Sequence, residues 1–305
     1  MNTKPSVADI VTDRIIAALE TGVAPWRKPW RASGVSLRFA TNLISRKAYS
    51  GCNQFLLLSA GYASPYWLTY KQAAALGGQV RKGEKGCPVI YVGRAEDKKK
   101  APKKDGKASS FTFLKYYTVF NVEQVDGLGD HVPVPVVVTP NENAPIAACE
   151  AIWAGYKDAP RVSRDAARAY YSPALDYIAI PDITAFDTAD AYYATLFHEG
   201  IHSTGHESRL NRDGVSAAKE AAAFGSETYG KEELVAELGA AFLCAEAGID
   251  NIPATASYCA SWIKVLKGDS SLIISAAAAA QKAYRYICPE PVTAEADDVE
   301  GGGDQ

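Results

Sequence analysis

The sequence predicts an α+β chain of two domains. The first, residues 1–130, is an N-terminal small antiparallel sheet with helices. The second, residues 143–290, is mainly helical with a small sheet. Three observations carry this prediction. β-rich runs at 88–92 and 111–122 are confined to the front, whereas long helix-period patterns fill the back. Between them, residues 131–140 (HVPVPVVVTP) hold three prolines and neither a helical nor a turn period, which places a linker at 131–142. Charge divides at the same place. Of 32 Lys+Arg and 35 Asp+Glu, residues 1–130 hold 20 and 10, so a basic front of +10 precedes an acidic back of −13 within a net charge of −3. The basic half suits a polyanion.

Composition narrows the class. With 48% apolar residues the 305-residue chain can bury real cores. The six cysteines show no CxxC spacing and read as free thiols of a reducing compartment. The first residues carry no apolar signal region, and no span approaches 18 uninterrupted apolar residues. The expected setting is the cytoplasm, away from any membrane.

The first helix is expected over 6–20, where Val7, Ile10, Val11, Ile15, Ala18 and Leu19 recur at helical spacing, ending near Gly22. Asp9, Asp13, Arg14 and Glu20 read as its solvated face. Residues 25–31 (PWRKPWR) follow, and their prolines forbid a regular helix. Here Trp26 and Trp30 suit stacking on unpaired bases while Arg27 and Lys28 neutralise phosphates; core packing of the indoles is the competing reading. Arg38, Asn42, Arg46, Tyr49 and Asn53 form a second polar and aromatic stretch. Trp67 and Tyr70 lead into a short helix at 71–76, stopped by Gly77 and Gly78. Arg81, Lys82 and Lys85 lie in a basic turn where Gly83 and Gly86 allow close backbone approach to a ligand. The strand 88–92 and the β-rich run with Phe111, Phe113, Tyr117 and Phe120 flank a loop of six lysines between 98 and 107. An open sheet with surface aromatics and a basic rim is a platform for single strands.

The back half opens with a helix at 144–156, then a strand at 176–181 with a proline stop. A helix at 188–204 follows, capped by Asp187 or Thr188. A polar loop at 207–228 precedes a long apolar helix from 231, and helices at 254–267 and 270–287 close the domain. The acidic, glycine-rich end, 291–305, is expected to be disordered.

The chemistry concentrates in His198-Glu199-Gly200-Ile201-His202, an HExxH motif. Histidines four apart share one helix face and can hold one metal ion, with Glu199 as general base. A zinc site needs a third protein ligand and an open position for water. The extended pattern with a third histidine fails, because that position is Ser208. His206 lies beyond the expected helix end at Gly205. Glu233 and Glu237 share a face of the next helix, so one of them would bind the ion while the other orients a histidine. Glu232, a quarter-turn away, ranks below them.

These residues resemble a known family. WRKPW at 26–30, YSGCN at 49–53, WLTYKQ at 67–72 and GQVRKGEKG at 78–86 resemble the single-stranded-DNA-binding domain of ArdC-type antirestriction proteins, a domain shared with certain plasmid DNA primases. YYATLFHEGIHSTGHESRL at 192–210 and EELVAELGAA at 232–241 are similar to the matching zincin-like metallopeptidase domain. The resemblance implies a protein of conjugative plasmids that binds incoming single-stranded DNA and helps it escape restriction. It implies Glu233, first residue of a Glu-x-x-Ala pattern, as the distal ligand and Glu237 as its supporting partner. Zinc is the expected ion, with another divalent metal such as manganese as the alternative. Restriction proteins or other DNA-bound proteins are the expected peptide partners. Two other readings stay open: a DNA-shielding protein whose metal is purely structural, and a DNA-activated protease acting on DNA-bound proteins.

Overall fold

The structure, a computed structural model, describes residues 6–21, 24, 31–32, 35–36, 39–96, 110–133, 144–164, 166–215, 227–249 and 256–289. Trp26, Arg27, Lys28, Trp30 and Arg38, the lysine-rich residues 97–109, the expected linker beyond residue 133 and the acidic end lie outside them.

Helix α1 (Val7–Glu20) begins with a capping box: Ser6 Oγ accepts from the Asp9 N–H at 3.1 Å, and the Asp9 carboxylate accepts from the Ser6 N–H at 2.8 Å. Asp9 is thus a cap rather than only a solvated side chain. The short strands β1 (Arg31–Ala32) and β2 (Val35–Ser36) pair as an antiparallel ribbon. Next come β3 (Thr41–Asn42), α2 (Cys52–Ser59), β4 (Tyr66–Thr69), α3 (Tyr70–Ala75) and β5 (Gln79–Val80). The hairpin strands β6 (Cys87–Glu96) and β7 (Ser110–Asn121) are the longest, and β8 (Val125–Asp126) pairs with β5. The main sheet runs β3-β4-β7-β6 and is antiparallel except for the β3–β4 pair.

Two front elements differ from expectation. Strand β6 continues to Glu96, since every residue from Cys87 onward has a partner on β7. Helix α2 was not expected. Its sequence CNQFLLLS shows no polar face, because Cys52 through Leu57 are all buried.

The back half contains α4 (Ala144–Gly155), the strands β9 (Arg161–Ser163), β10 (Tyr170–Ser172) and β11 (Tyr177–Ala179), and the helices α5 (Ala189–Ser203), α6 (Glu227–Ala247), α7 (Ala256–Gly268) and α8 (Leu272–Ile287). The single expected strand is one arm of a hairpin, with Asp176 at φ 46° in its turn, and β9 adds a parallel edge.

Packing crosses the boundary between the two halves. One continuous core joins Val11, Ile15 and Phe55 of the front to Phe242, Ala276 and Ala280 of the back. The Phe55 and Phe242 rings lie 5.0 Å apart. Thr12 Oγ1 donates to the Ser270 carbonyl at 2.6 Å, and the Gly51 N–H donates to Gln281 Oε1 at 3.1 Å. A smaller core of Leu43, Leu68, Ala73, Val122 and Leu128 lies within the front half. Among the described residues no helix is long and apolar enough to cross a membrane.

Candidate metal centre and nucleic-acid interface

Helix α5 is started by Thr188, whose Oγ1 accepts from the Ala191 N–H at 3.1 Å. Four-residue spacing then puts His198 and His202 side by side, with Nε2 atoms 3.2 Å apart. Helix α6 approaches closely because Gly239 has no side chain: a Cβ there would lie 2.7 Å from Ile201 Cδ1. On another side of α5, a Cβ at Gly200 would lie 2.8 Å from the Trp153 ring. Close approach brings Glu233 of α6 to the histidines. Its Oε1 is 3.5 Å from His202 Nε2 and its Oε2 is 3.7 Å from His198 Nε2. Ligands bound at ~2.0–2.1 Å in a tetrahedron sit roughly 3.3 Å from one another, so these donors fit one divalent ion. Among the described residues they are the set that meets this geometry.

The other face of His202 is held by Glu232. Its Oε1 lies 3.3 Å from His202 Nδ1. Glu232 also binds Arg212 at 2.6 and 3.0 Å, and Arg212 donates to the Ile201 carbonyl at 2.8 Å and to Thr204 Oγ1 at 2.6 Å. Glu232, ranked below Glu233 and Glu237 on spacing alone, is thus the brace of His202, while Glu237 is buried one turn farther along α6. The two nitrogens of one imidazole face different ways, so the neighbours Glu232 and Glu233 straddle the ring. A search for two carboxylates on one helix face overlooks that arrangement.

Burial alone would lower the His202 pKa, but its bonds to Glu232 and Glu233 outweigh it and raise the pKa to about 10. Burial would raise both carboxylates. Arg212 and His202 hold Glu232 below its ordinary value, and the two histidines hold Glu233 well below it. The site is therefore poised to keep both carboxylates as anions.

Glu199 is 9% exposed and lines the same cleft, about 360 Å³, as His198, His202 and Glu233. Tyr170, Tyr171 and Pro173 of the β10–β11 hairpin form a wall. That wall is clamped: Arg209 gives Asp176 two bonds of 2.8 Å and Tyr171 Oη donates to Asp176 at 2.8 Å, while Arg209 also donates to the Ser203 carbonyl at the end of α5. Burial would raise the Asp176 pKa, but Arg209 and Tyr171 hold it below the usual carboxylate value. His206 lies past the helix end, with Nδ1 2.8 Å from Ser208 Oγ, and takes no part in the cluster.

The expected nucleic-acid residues separate into two groups. Trp67 is 2% exposed and meets Tyr62 edge-on at 5.5 Å, so it has no free face for a base. Asn53 is also buried, pairing with the Ile90 N–H at 2.7 Å and carbonyl at 2.9 Å. Asn42 bonds Gln72 at 3.1 Å and the half-buried Tyr49 at 3.3 Å. Trp67 and Asn53 are therefore framework rather than contact surface, and the partly buried Asn42 and Tyr49 spend polar groups on partners inside the protein. Gly86 makes room for its own sheet: a Cβ there would lie 3.0 Å from the Val119 carbonyl. By contrast Tyr70, Arg81 and Lys82 line one surface depression, and Lys85 is exposed in the same basic turn. Arg81 is also paired with Glu84 at 2.8 Å and Asp126 at 3.3 Å. Arg46 lies 5.3 Å over the Tyr66 ring. Tyr91 and Tyr116, which the sequence does not mark out, are also exposed.

Residues 5–120 match the family described as the N-terminal domain of anti-restriction factor ArdC, and residues 149–279 match a zincin-like metallopeptidase family. Crystal structures of an antirestriction ArdC protein from the R388 plasmid, metal-free and Mn(II)-bound, are each 38% identical. Each match covers 93% of this chain and 97% of the other, with TM-scores of 0.71 and 0.70. An uncharacterized protein of Sinorhizobium fredii, y4eC, is 35% identical over 98% of this chain and 97% of its own length. A DNA primase TraC of Escherichia coli is 38% identical over 301 residues, 91% of this chain. The chain spans 26% of that primase and 20% of a second TraC.

Proposed function

The chain belongs to the ArdC family of antirestriction proteins, and from that premise we propose that it binds single-stranded DNA through residues 1–130 and works a metal-dependent peptidase site in residues 143–290. It would act in the bacterial cytoplasm, protecting incoming plasmid DNA, with restriction or other DNA-bound proteins as peptide substrates. The single observation that carries the peptidase reading is the meeting of His198, His202 and Glu233 around one point, beside Glu199.

A divalent ion held by His198, His202 and Glu233 would polarise a peptide carbonyl and lower the pKa of a water. Zinc suits the near-tetrahedral donor spacing, and the Mn(II) of the similar ArdC structure supports manganese as the alternative. Glu199 would take a proton from the attacking water as its oxygen bonds to the carbonyl carbon, and pass it to the amine nitrogen as the carbon–nitrogen bond breaks. Glu232 fixes the ring of His202, and the Tyr170–Tyr171 wall bounds the space for a peptide. A purely structural metal site is closed by four protein ligands. Here three donors face an open cleft with side chains 22%, 13% and 29% exposed, which favours the catalytic reading.

Glu199→Gln is the test. The variant should keep its metal and its DNA binding yet lose metal-dependent protection of plasmid DNA in a restricting host; full protection would sink the peptidase role. For the front half, a gel shift should favour single over double strands, and Lys82→Ala with Lys85→Ala should weaken it.

A further inference from the structure

Resting on the single-strand reading, we propose a second contact surface for the same ligand: the outer part of the β6–β7 hairpin together with the crevice between β6 and α8. Half of the large apolar side chains left exposed among the described residues sit on this hairpin: Tyr91, Val92, Leu114, Tyr116 and Tyr117. Tyr91 and Tyr117 are 48% and 49% exposed, although burial of aromatic area is favourable.

Register and alternation put Tyr91 and Tyr117 on one side of the hairpin and Val92, Leu114 and Tyr116 on the other. Val89 faces Tyr117, Tyr91 faces Lys115, and Gly93 faces Phe113, all on one side of the hairpin. The Phe113 ring occupies the space where Gly93 would carry a side chain. Tyr91 lies 6.2 Å from Tyr117 and 6.5 Å from Phe113, and Lys115 Nζ stands 5.2 Å over the Phe113 ring. A cation among exposed rings is the arrangement that lets bases stack while a phosphate is neutralised.

Tyr91 also lines an open crevice of about 400 Å³ with Val92, Gly51, Asn53, Gln281 and Arg285. Its one charged lining side chain is Arg285, of α8. The Ile90 N–H and carbonyl point away from β7 to Asn53, so by strand alternation the same groups of Val92 turn to the crevice side. Offered together are two stacking rings, backbone polar groups and a guanidinium. The hairpin strands are joined by residues 97–109, which hold six lysines against two aspartates. That balance favours a polyanion over an apolar peptide. The track passes from the front sheet to α8, a helix that packs on α6.

The test is fluorescence anisotropy of labelled oligo(dT) with the full, metal-loaded chain, over a range of salt. Tyr91→Ala with Tyr117→Ala should weaken binding about tenfold or more, with Tyr91→Phe and Tyr117→Phe close to the unaltered chain. Arg285→Ala should make the slope of log affinity against log salt shallower by about 0.7. Unchanged affinity in the double alanine variant, with metal content and circular dichroism intact, overturns the surface while the single-strand reading stands. An unaltered chain that ignores oligo(dT) overturns both. If the double variant instead turns a dimer into a monomer in sedimentation with oligo(dT) affinity unchanged, the face joins copies of this chain and the proposal is wrong.

Discussion

Replacing Glu232 with Gln keeps the side chain's shape and removes the charge that faces both His202 and Arg212. Outer partners of metal ligands are worth about 10–100-fold in metal affinity, so Glu232→Gln should bind zinc or manganese more weakly by that factor, read by competition with a coloured chelator. Unchanged affinity would show that His202 needs no such brace. At Asp176 the sign of a pH effect follows from its depressed pKa. The Arg209 pair contributes stability above the unfolded carboxylate value and loses it as pH falls through the lower folded one. Because Asp176 is 34% exposed, the pair is worth less than the 3–5 kcal/mol of a fully buried one, about 2 kcal/mol. Asp176→Asn should therefore lower the melting temperature at neutral pH and show a flatter decline in acid than the unaltered chain. Parallel decline in both would refute the linkage.

Helix α6 owes its position to a missing methyl group. Gly239→Ala would drive a Cβ into Ile201, at a cost of about 1–3 kcal/mol from overpacking, and would push Glu233 away from the histidines. We expect lower thermal stability together with weaker metal binding; loss of stability with unaltered metal affinity would separate the two. At this scale the sequence is readable where apolar residues recur at 3.6. Helices α1, α5 and α8 fall close to expectation because each has a polar side to set the period. Helix α2 was illegible for the opposite reason, being buried on nearly every side. The three-residue strands β9 and β10 are too short to show alternation. Spacing on one helix suffices for His198 and His202, but the place of Glu232 against His202 depends on how two helices meet. Burial removes Trp67 and Asn53 from the expected surface, because composition tells which residues can meet a base and not which are left outside.

For the whole molecule, the shared core predicts one cooperative unit. Phe55→Ala, deep between α2 and α6, should cost about 3–5 kcal/mol and lower a single calorimetric transition. Two transitions, with only one of them moved, would mean that the halves fold apart. Thr12, Gly51 and Phe55 reach across the junction from the front, and Ser270, Gln281 and Phe242 receive them. An excised half would present these faces bare to water and would be a poor building block. The longer primases match this chain across both halves. A gene fragment that encoded only one half would yield a sticky product, whereas the fused pair brings each face its partner.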